Sequence, residues 1–112
     1  MIEYIEINGE KYPLRFDTWS LMHLEKYTKK NIFLYLKDTE AITSSEFLVN
    51  LTYSGIFGGL DLDDDKDMTI TRKEIARNLT PLDFEVVITV FGKQMAAKGG
   101  DAKKKKPEKV SQ

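Results

Sequence analysis

Apolar and polar positions alternate over the first sixteen residues. Ile2, Tyr4 or Ile5, and Ile7 precede Asn8-Gly9, and Tyr12, Leu14 and Phe16 follow it. A period of two marks a strand with one buried face, and Asn-Gly favours a tight primed turn because both residues tolerate positive φ. The pattern predicts a β-hairpin with strands near 2–7 and 10–16. Pro13 has no N–H for the ladder, which assigns its position to an outward-facing edge.

From Asp17 or Thr18, either of which can cap a helix, the period lengthens. Trp19, Met22, His23, Lys26 and Tyr27 recur at helical spacing, with Leu21 and Leu24 broadening the apolar face over about three turns. The segment "IFLYLKD", residues 32–38, reads as a short apolar turn or helix. Thr43 with Glu46 forms the pattern of a capping box ahead of "FLVNLTYSGIFGGL". There Phe47, Leu48, Leu51, Gly55, Ile56 and Leu60 leave almost no polar face, so this helix belongs at the buried centre. Gly55, Gly58 and Gly59 suit close helix packing or a helix end.

Thr71 with Glu74 is a second capping box, opening a short helix through about Leu79. Thr80-Pro81 opens the last helix, with Asp83 near its positive end and Val86, Val87, Val90, Phe91 and Met95 on one face. The β-branched run 86–90 fits a strand by propensity, but the cap and the length select a helix. Beyond Gly99-Gly100 the apolar periodicity stops. The expected class is α+β: an N-terminal β-hairpin packed on a small bundle of four to five helices, one domain over 1–98, then a disordered basic tail over 99–112.

Composition narrows the function. The 112 residues suffice for a self-sufficient core, and the lack of cysteine excludes disulfides, thiolate-bound zinc and a thiol nucleophile. "MIEYIEING" lacks the basic and apolar parts of a signal peptide, and no stretch approaches the ~20 apolar residues of a membrane span. A cytoplasmic protein is expected. Net charge is −1, yet residues 98–112 hold six Lys against Asp101 and Glu108, leaving 11 basic and 16 acidic residues elsewhere. An acidic body disfavours nucleic-acid binding by the folded part. An adaptor or regulator touching nucleic acid through its basic tail is one alternative function, and a solvated tail is the simpler reading.

No catalytic constellation emerges. His23, the sole imidazole, falls within an apolar helical pattern and reads as a packed residue. "GIFGGL" lacks the strand and the Lys-Ser/Thr pair of a phosphate loop. Trp19, Tyr27, Phe33, Tyr35, Tyr53, Phe57, Phe84 and Phe91 are many rings for a small core, so some are expected to form an exposed apolar patch.

"DDDKDMTITRKE", residues 63–74, follows the spacing of a calcium-binding EF-hand loop. Its ligand places fall on Asp63, Asp65, Asp67, the Thr69 carbonyl, Thr71 and Glu74, with Ile70 where two hands would pair. Against this, the sixth place is Met68 where glycine is wanted, at a cost of roughly 1–2 kcal/mol. "FGGLDL" interrupts the entering helix, and Thr71 and Glu74 are already explained as a cap. A single EF-hand-like Ca2+ binder is therefore an alternative reading.

"INGEKYPLRFDTWSLMHLEK", a hairpin with an Asn-Gly turn feeding "LRF" and a helix with a Leu-x-x-Leu-Glu core, resembles the tail assembly chaperones of long-tailed bacteriophages and gene transfer agents. "FLVNLTYSGIFGGL", a polar loop, a Thr-started helix and a last amphipathic helix continue the resemblance across residues 5–96. It implies a non-enzymatic protein that binds the long helical tape-measure protein, keeps it from aggregating and helps tail-tube protein polymerise around it. Self-association is compatible with such a role. Many relatives gain a longer form by ribosomal frameshifting, and Lys103 to Lys106 is the kind of run that slippery A-rich sequence encodes. The surface expected to meet the partner is Trp19, Tyr27, Phe33 and Tyr35.

Overall fold

The computed structural model describes residues 3–32 and 44–104, with side chains to residue 96. Strands β1 (Glu3–Ile7) and β2 (Glu10–Leu14) pair antiparallel, with Ile7 opposite Glu10. Asn8 and Gly9 hold φ of 55° and 84°, the doubly positive turn that matches strand twist. Because hydrogen-bonded and non-bonded pairs alternate from Ile7 and Glu10, the Tyr4–Pro13 pair exchanges no ladder bonds. Pro13 therefore sits on the outward edge, as its missing N–H requires. That edge does not face water, because a later helix lies against it.

Helix α1 (Thr18–Thr28) is capped by Asp17, whose carboxylate accepts from the Ser20 N–H, and it ends at Lys29 in the left-handed conformation. Its buried face is Ser20, Leu21, His23 and Leu24. This corrects the expected face: Trp19, Met22 and Tyr27 remain 41%, 54% and 49% exposed. Helix α2 (Ser45–Gly59) is buried along most of its length, as its near-continuous apolar pattern predicts. Its cap is Ser44, which accepts from the Phe47 N–H, one place later than the expected Thr43 box. Serine is the better cap, and the place where a box needs Glu is here Phe47. Of the turn or helix expected over 32–38 only Ile32 is described, helical and buried; Phe33, Tyr35 and Thr43 lie outside the described residues.

A single 3-10 turn (Asp65–Asp67) follows, then α3 (Arg72–Asn78) and α4 (Pro81–Lys104). The described residues thus hold the hairpin and four α-helices. Thr71 and Glu74 form the predicted reciprocal box. At α4, the Thr80 N–H donates to Asp83 and the Asp83 N–H donates back to the Thr80 hydroxyl. Residues 86–90 are helical. The inward face of α4 carries Val87, Val90 and Gln94, with half-buried Phe84, Phe91 and Met95. Val86, expected on that face, is exposed instead, since the stripe 84-87-91-94-95 leaves it at the rim. The helix runs on through Gly99-Gly100 to Lys104, and the rest of the tail expected over 99–112 lies outside the described residues.

The core lies where α2 crosses β2 and α1, and small residues set the distance. A Cβ on Gly58 would overlap the Ser20 hydroxyl and stand 2.7 Å from the Arg15 carbonyl oxygen. One on Gly59 would meet the Pro13 carbonyl at 2.5 Å. Leu14, Phe16, Leu24, Leu51 and Ile56 fill the space behind, all close to fully buried, and each contributes roughly 1.5–3 kcal/mol by leaving water. The Phe91 ring closes edge-on against Phe16 at 5.2 Å.

Gly58→Ala is expected to destabilise the fold by about 1–3 kcal/mol, because the Arg15 backbone cannot yield to the new methyl group. Gly92→Ala, in open space on α4, is expected to stabilise by about 0.5–1 kcal/mol from helix propensity alone. Urea midpoints of the two variants test both signs.

Candidate functional site on the outer face of helix α1

Helix α2 ends in a paired hydrogen-bond motif. The Leu62 N–H donates to the Phe57 carbonyl, the Asp61 N–H to that of Gly58, and Asp61 takes the left-handed conformation, φ 58°. The chain is thereby reversed before the aspartates begin. The exposed loop that follows is fastened to α1 at two points. Trp19 Nε1–H donates to the Leu62 carbonyl at 2.9 Å, and His23 Nε2 lies 2.6 Å from Asp65 Oδ1. Behind them, Phe57 stacks on Trp19 at 6.2 Å and on His23 at 4.1 Å.

His23 is fully occupied by these neighbours. Its Nδ1 lies 2.8 Å from Ser54 Oγ, and the ring also stacks on Tyr53 at 5.6 Å. A carboxylate only accepts, so Nε2 carries the proton toward Asp65. In the neutral ring the Ser54 hydroxyl then donates to Nδ1. Ser, His and Asp are the residue types of a nucleophilic triad, but Ser54 is only 1% exposed on the buried side of α2. Its hydroxyl has no open path to a substrate. The arrangement works as a brace between α1, α2 and the acidic loop, consistent with the packed His23 expected from its sequence context.

A second brace uses Arg72. Its guanidinium lies between the Tyr27 and Tyr53 rings, 3.4 Å and 3.7 Å from their centroids, while Nε–H donates to Asn50 Oδ1 at 3.0 Å. Stacking between two ring faces holds a cation without a carboxylate. One face of Tyr27 is therefore occupied from within the chain. Burial holds the Tyr53 phenol above the usual tyrosine range; Asp65 adds to the rise and Arg72 opposes it.

Two hollows flank the exposed face of α1. Trp19, Met22, His23, Lys26, Phe57 and Asp63 line a mostly apolar groove of about 310 Å³. Tyr27 instead borders a separate hollow of about 370 Å³, lined also by Glu46, Val49, Arg72, Lys73 and Ala76. Trp19 and Tyr27 thus serve different depressions, two turns and roughly 12 Å apart along the helix. Phe33 and Tyr35, the other expected partner residues, lie outside the described residues. Met22 and Phe57 were not chosen as partner residues from sequence, although Met22 follows Trp19 at i+3.

The calcium reading does not survive the loop's conformation. Met68 is extended at φ −67°, ψ 141°, so the sharp turn that glycine makes in an EF-hand is absent at this position. No helix runs into Asp63, since α2 stops at Gly59. Asp65 is held by His23, and Glu74 accepts from the Thr71 N–H and hydroxyl. Asp63, Asp65, Asp67, Thr69, Thr71 and Glu74 therefore do not converge. Among the described residues no three His, Cys, Asp or Glu side chains are grouped to hold a metal ion.

Among the described residues no helix is long and apolar enough to cross a membrane. Comparison with models of known protein families, with curated proteins and with solved structures finds no match.

Millimolar calcium is expected to leave both Trp19 emission and melting temperature unchanged, in the wild type and in Glu74→Gln alike. A calcium-dependent rise lost in Glu74→Gln would restore the EF-hand reading. A second expectation concerns alkaline pH. Below about pH 10 the Tyr53 phenol is neutral in both folded and unfolded chains, and above it the unfolded chain ionises first. The stability tied to Tyr53 is therefore full below the ordinary tyrosine pKa and is lost as pH rises through the raised folded value. Tyr53→Phe should make the alkaline fall of the urea midpoint shallower; an unchanged slope would contradict the assignment.

Proposed function

We propose that this chain is a non-enzymatic tail assembly chaperone of the long-tailed bacteriophage kind. In this reading it works in the host cytoplasm, holding apolar helical segments of the tape-measure protein until tail-tube protein encloses them. The observation that carries the proposal is the exposed aromatic and methionine edge of α1. Trp19, Met22 and Tyr27 remain 41–54% exposed while Leu21 and Leu24 of the same helix are buried. Isolated exposed apolar residues are ordinary, but here Trp19 and Met22 border one apolar groove with Phe57 at its base.

The groove is also stiff. Trp19 is fixed by its bond to Leu62 and its stack on Phe57, and the Tyr27 ring is fixed by Arg72. A surface already ordered before binding loses little side-chain entropy when a partner arrives. Met supplies the adaptable contact that suits a partner presenting many similar helical turns. The resemblance of the hairpin, the "LRF" corner and the following helix to tail assembly chaperones supports a tape-measure protein as that partner.

Co-expression with a tape-measure protein of a long-tailed bacteriophage tests the reading. Formation of a soluble complex, weakened by Met22→Asp while the free protein keeps its melting temperature, is the expected result. Failure to form a complex or to raise the partner's solubility would end the proposal.

A further inference from the structure

The groove beside Trp19 has a charged margin of one dominant sign. Residues 61–67 carry Asp61, Asp63, Asp64, Asp65 and Asp67 against the single Lys66, and every one of these charged residues is exposed. Asp63 itself lines the groove, as does Lys26. Asp65 is engaged by His23, and Asp64 caps the 3-10 turn through the Lys66 N–H at 3.0 Å. The bonds from Trp19 to Leu62 and from His23 to Asp65 hold this margin against α1, so the carboxylates form a fixed rim rather than a free tail.

From this juxtaposition we propose that the Trp19–Met22–Phe57 groove is the docking site for a basic amphipathic segment of a partner polypeptide. One or two bulky aliphatic or aromatic side chains occupy the groove, and lysines or arginines beside them meet the aspartate rim. The inference rests on the reading of this chain as a binder of helical segments, and it names the chemistry of the segment bound. Apolar burial supplies affinity, while the rim selects the sign of the flanking charges and speeds encounter. An acidic segment of equal hydrophobicity is rejected because it would place carboxylates against Asp63 and the field of the aspartates next to it in sequence. The chain's own Lys103–Lys106 run shares the sign but lacks a bulky apolar residue nearby to fill the groove.

Trp19 is the only tryptophan, so its emission reports directly on the groove. The full chain is titrated with three helical peptides of equal length: Leu/Lys, Leu/Glu and a Lys peptide in which Ala replaces Leu. The Leu/Lys peptide is expected to shift Trp19 emission to shorter wavelength and to bind at least about tenfold more tightly than either control at low ionic strength. Its advantage over Leu/Glu should shrink severalfold on going from ~0.05 M to ~0.5 M salt. In Asp63→Asn/Asp64→Asn/Asp67→Asn, where the amide at 64 still caps the turn, the Lys-over-Glu preference should vanish with melting temperature retained.

Equal binding of the Leu/Lys and Leu/Glu peptides would overturn the rim's role, and equal binding of the Ala/Lys peptide would overturn the groove's. A Trp19 shift produced by concentrating the protein alone, or by ending the chain at Lys104, would assign the groove to a second copy or to the chain itself, against the proposal. A complex with the tape-measure protein but no response to Leu/Lys peptide would sink this inference alone. The reverse outcome would sink the tail-assembly reading and keep the groove's chemistry.

Discussion

The structure depends on one corner, residues 13–17, where β2 hands the chain to α1. A strand entering a helix at this depth exposes backbone groups that water cannot reach, and each one left unpaired costs roughly 1–3 kcal/mol. Here three helices between them meet four of these groups. The Phe16 N–H donates to Gln94 Oε1 at 2.6 Å, and Gln94 Nε2 donates to the Leu14 carbonyl at 3.3 Å. The Arg15 N–H donates to the Gly55 carbonyl on α2, while the Arg15 carbonyl accepts from the Ser20 hydroxyl. One buried glutamine thus ties α4 to a segment 78 and 80 residues earlier. Without the corner, β-hairpin, α1, α2 and α4 share no common point of attachment.

That corner also explains why α2 is rich in small residues. The Arg15 N–H reaches the Gly55 carbonyl only if the two backbones nearly touch, and Gly58 and Gly59 permit the approach by presenting no side chain to Arg15 and Pro13. The resulting tilt carries the C-terminal end of α2 beneath α1, placing Phe57 under Trp19 and His23. The left-handed turn at Asp61 then sends the chain back along α1, where Leu62 and Asp65 are caught. The groove is therefore a consequence of the same close approach that closes the core.

What was legible in the sequence is what is local. Asn8-Gly9, Thr71 with Glu74, and Thr80 with Asp83 carry their partners within three residues, and each forms the turn or cap its chemistry predicts. The spacing of 63–74 was equally local and misleading, because ligand spacing says nothing of the φ at Met68 or of the helix end at Asp61. The faces of α1 show the other limit. Apolar residues mark both the Trp19–Met22 side and the Leu21–Leu24 side, and periodicity cannot rank them. The deciding contacts, Ser20 against Gly58 and His23 against Ser54, join positions 31 or more residues apart. Ser20 lies three and four residues from His23 and Leu24 on one stripe. A small hydroxyl amid that stripe, facing a glycine-rich helix, is the signal that a tight contact forms there.

The exposure of Trp19 and Met22 follows from the same geometry. For Trp19 to turn inward, its side would have to replace Ser20 at the contact with Gly58, and an indole cannot fit where an added methyl already collides. The tight corner thus excludes large side chains from the α1–α2 seam and leaves them outward. Trp19 nonetheless finds an acceptor at Leu62 and a stacking partner in Phe57, so it is ordered on the surface without being covered. Arg72 orders Tyr27 in a comparable way, at the other end of the helix. Ring order on an uncovered face lowers the entropy lost on contact, and a carboxylate rim beside it keeps the same face soluble when nothing is bound. Packing that is as close as possible on one side of α1 is what makes its other side available.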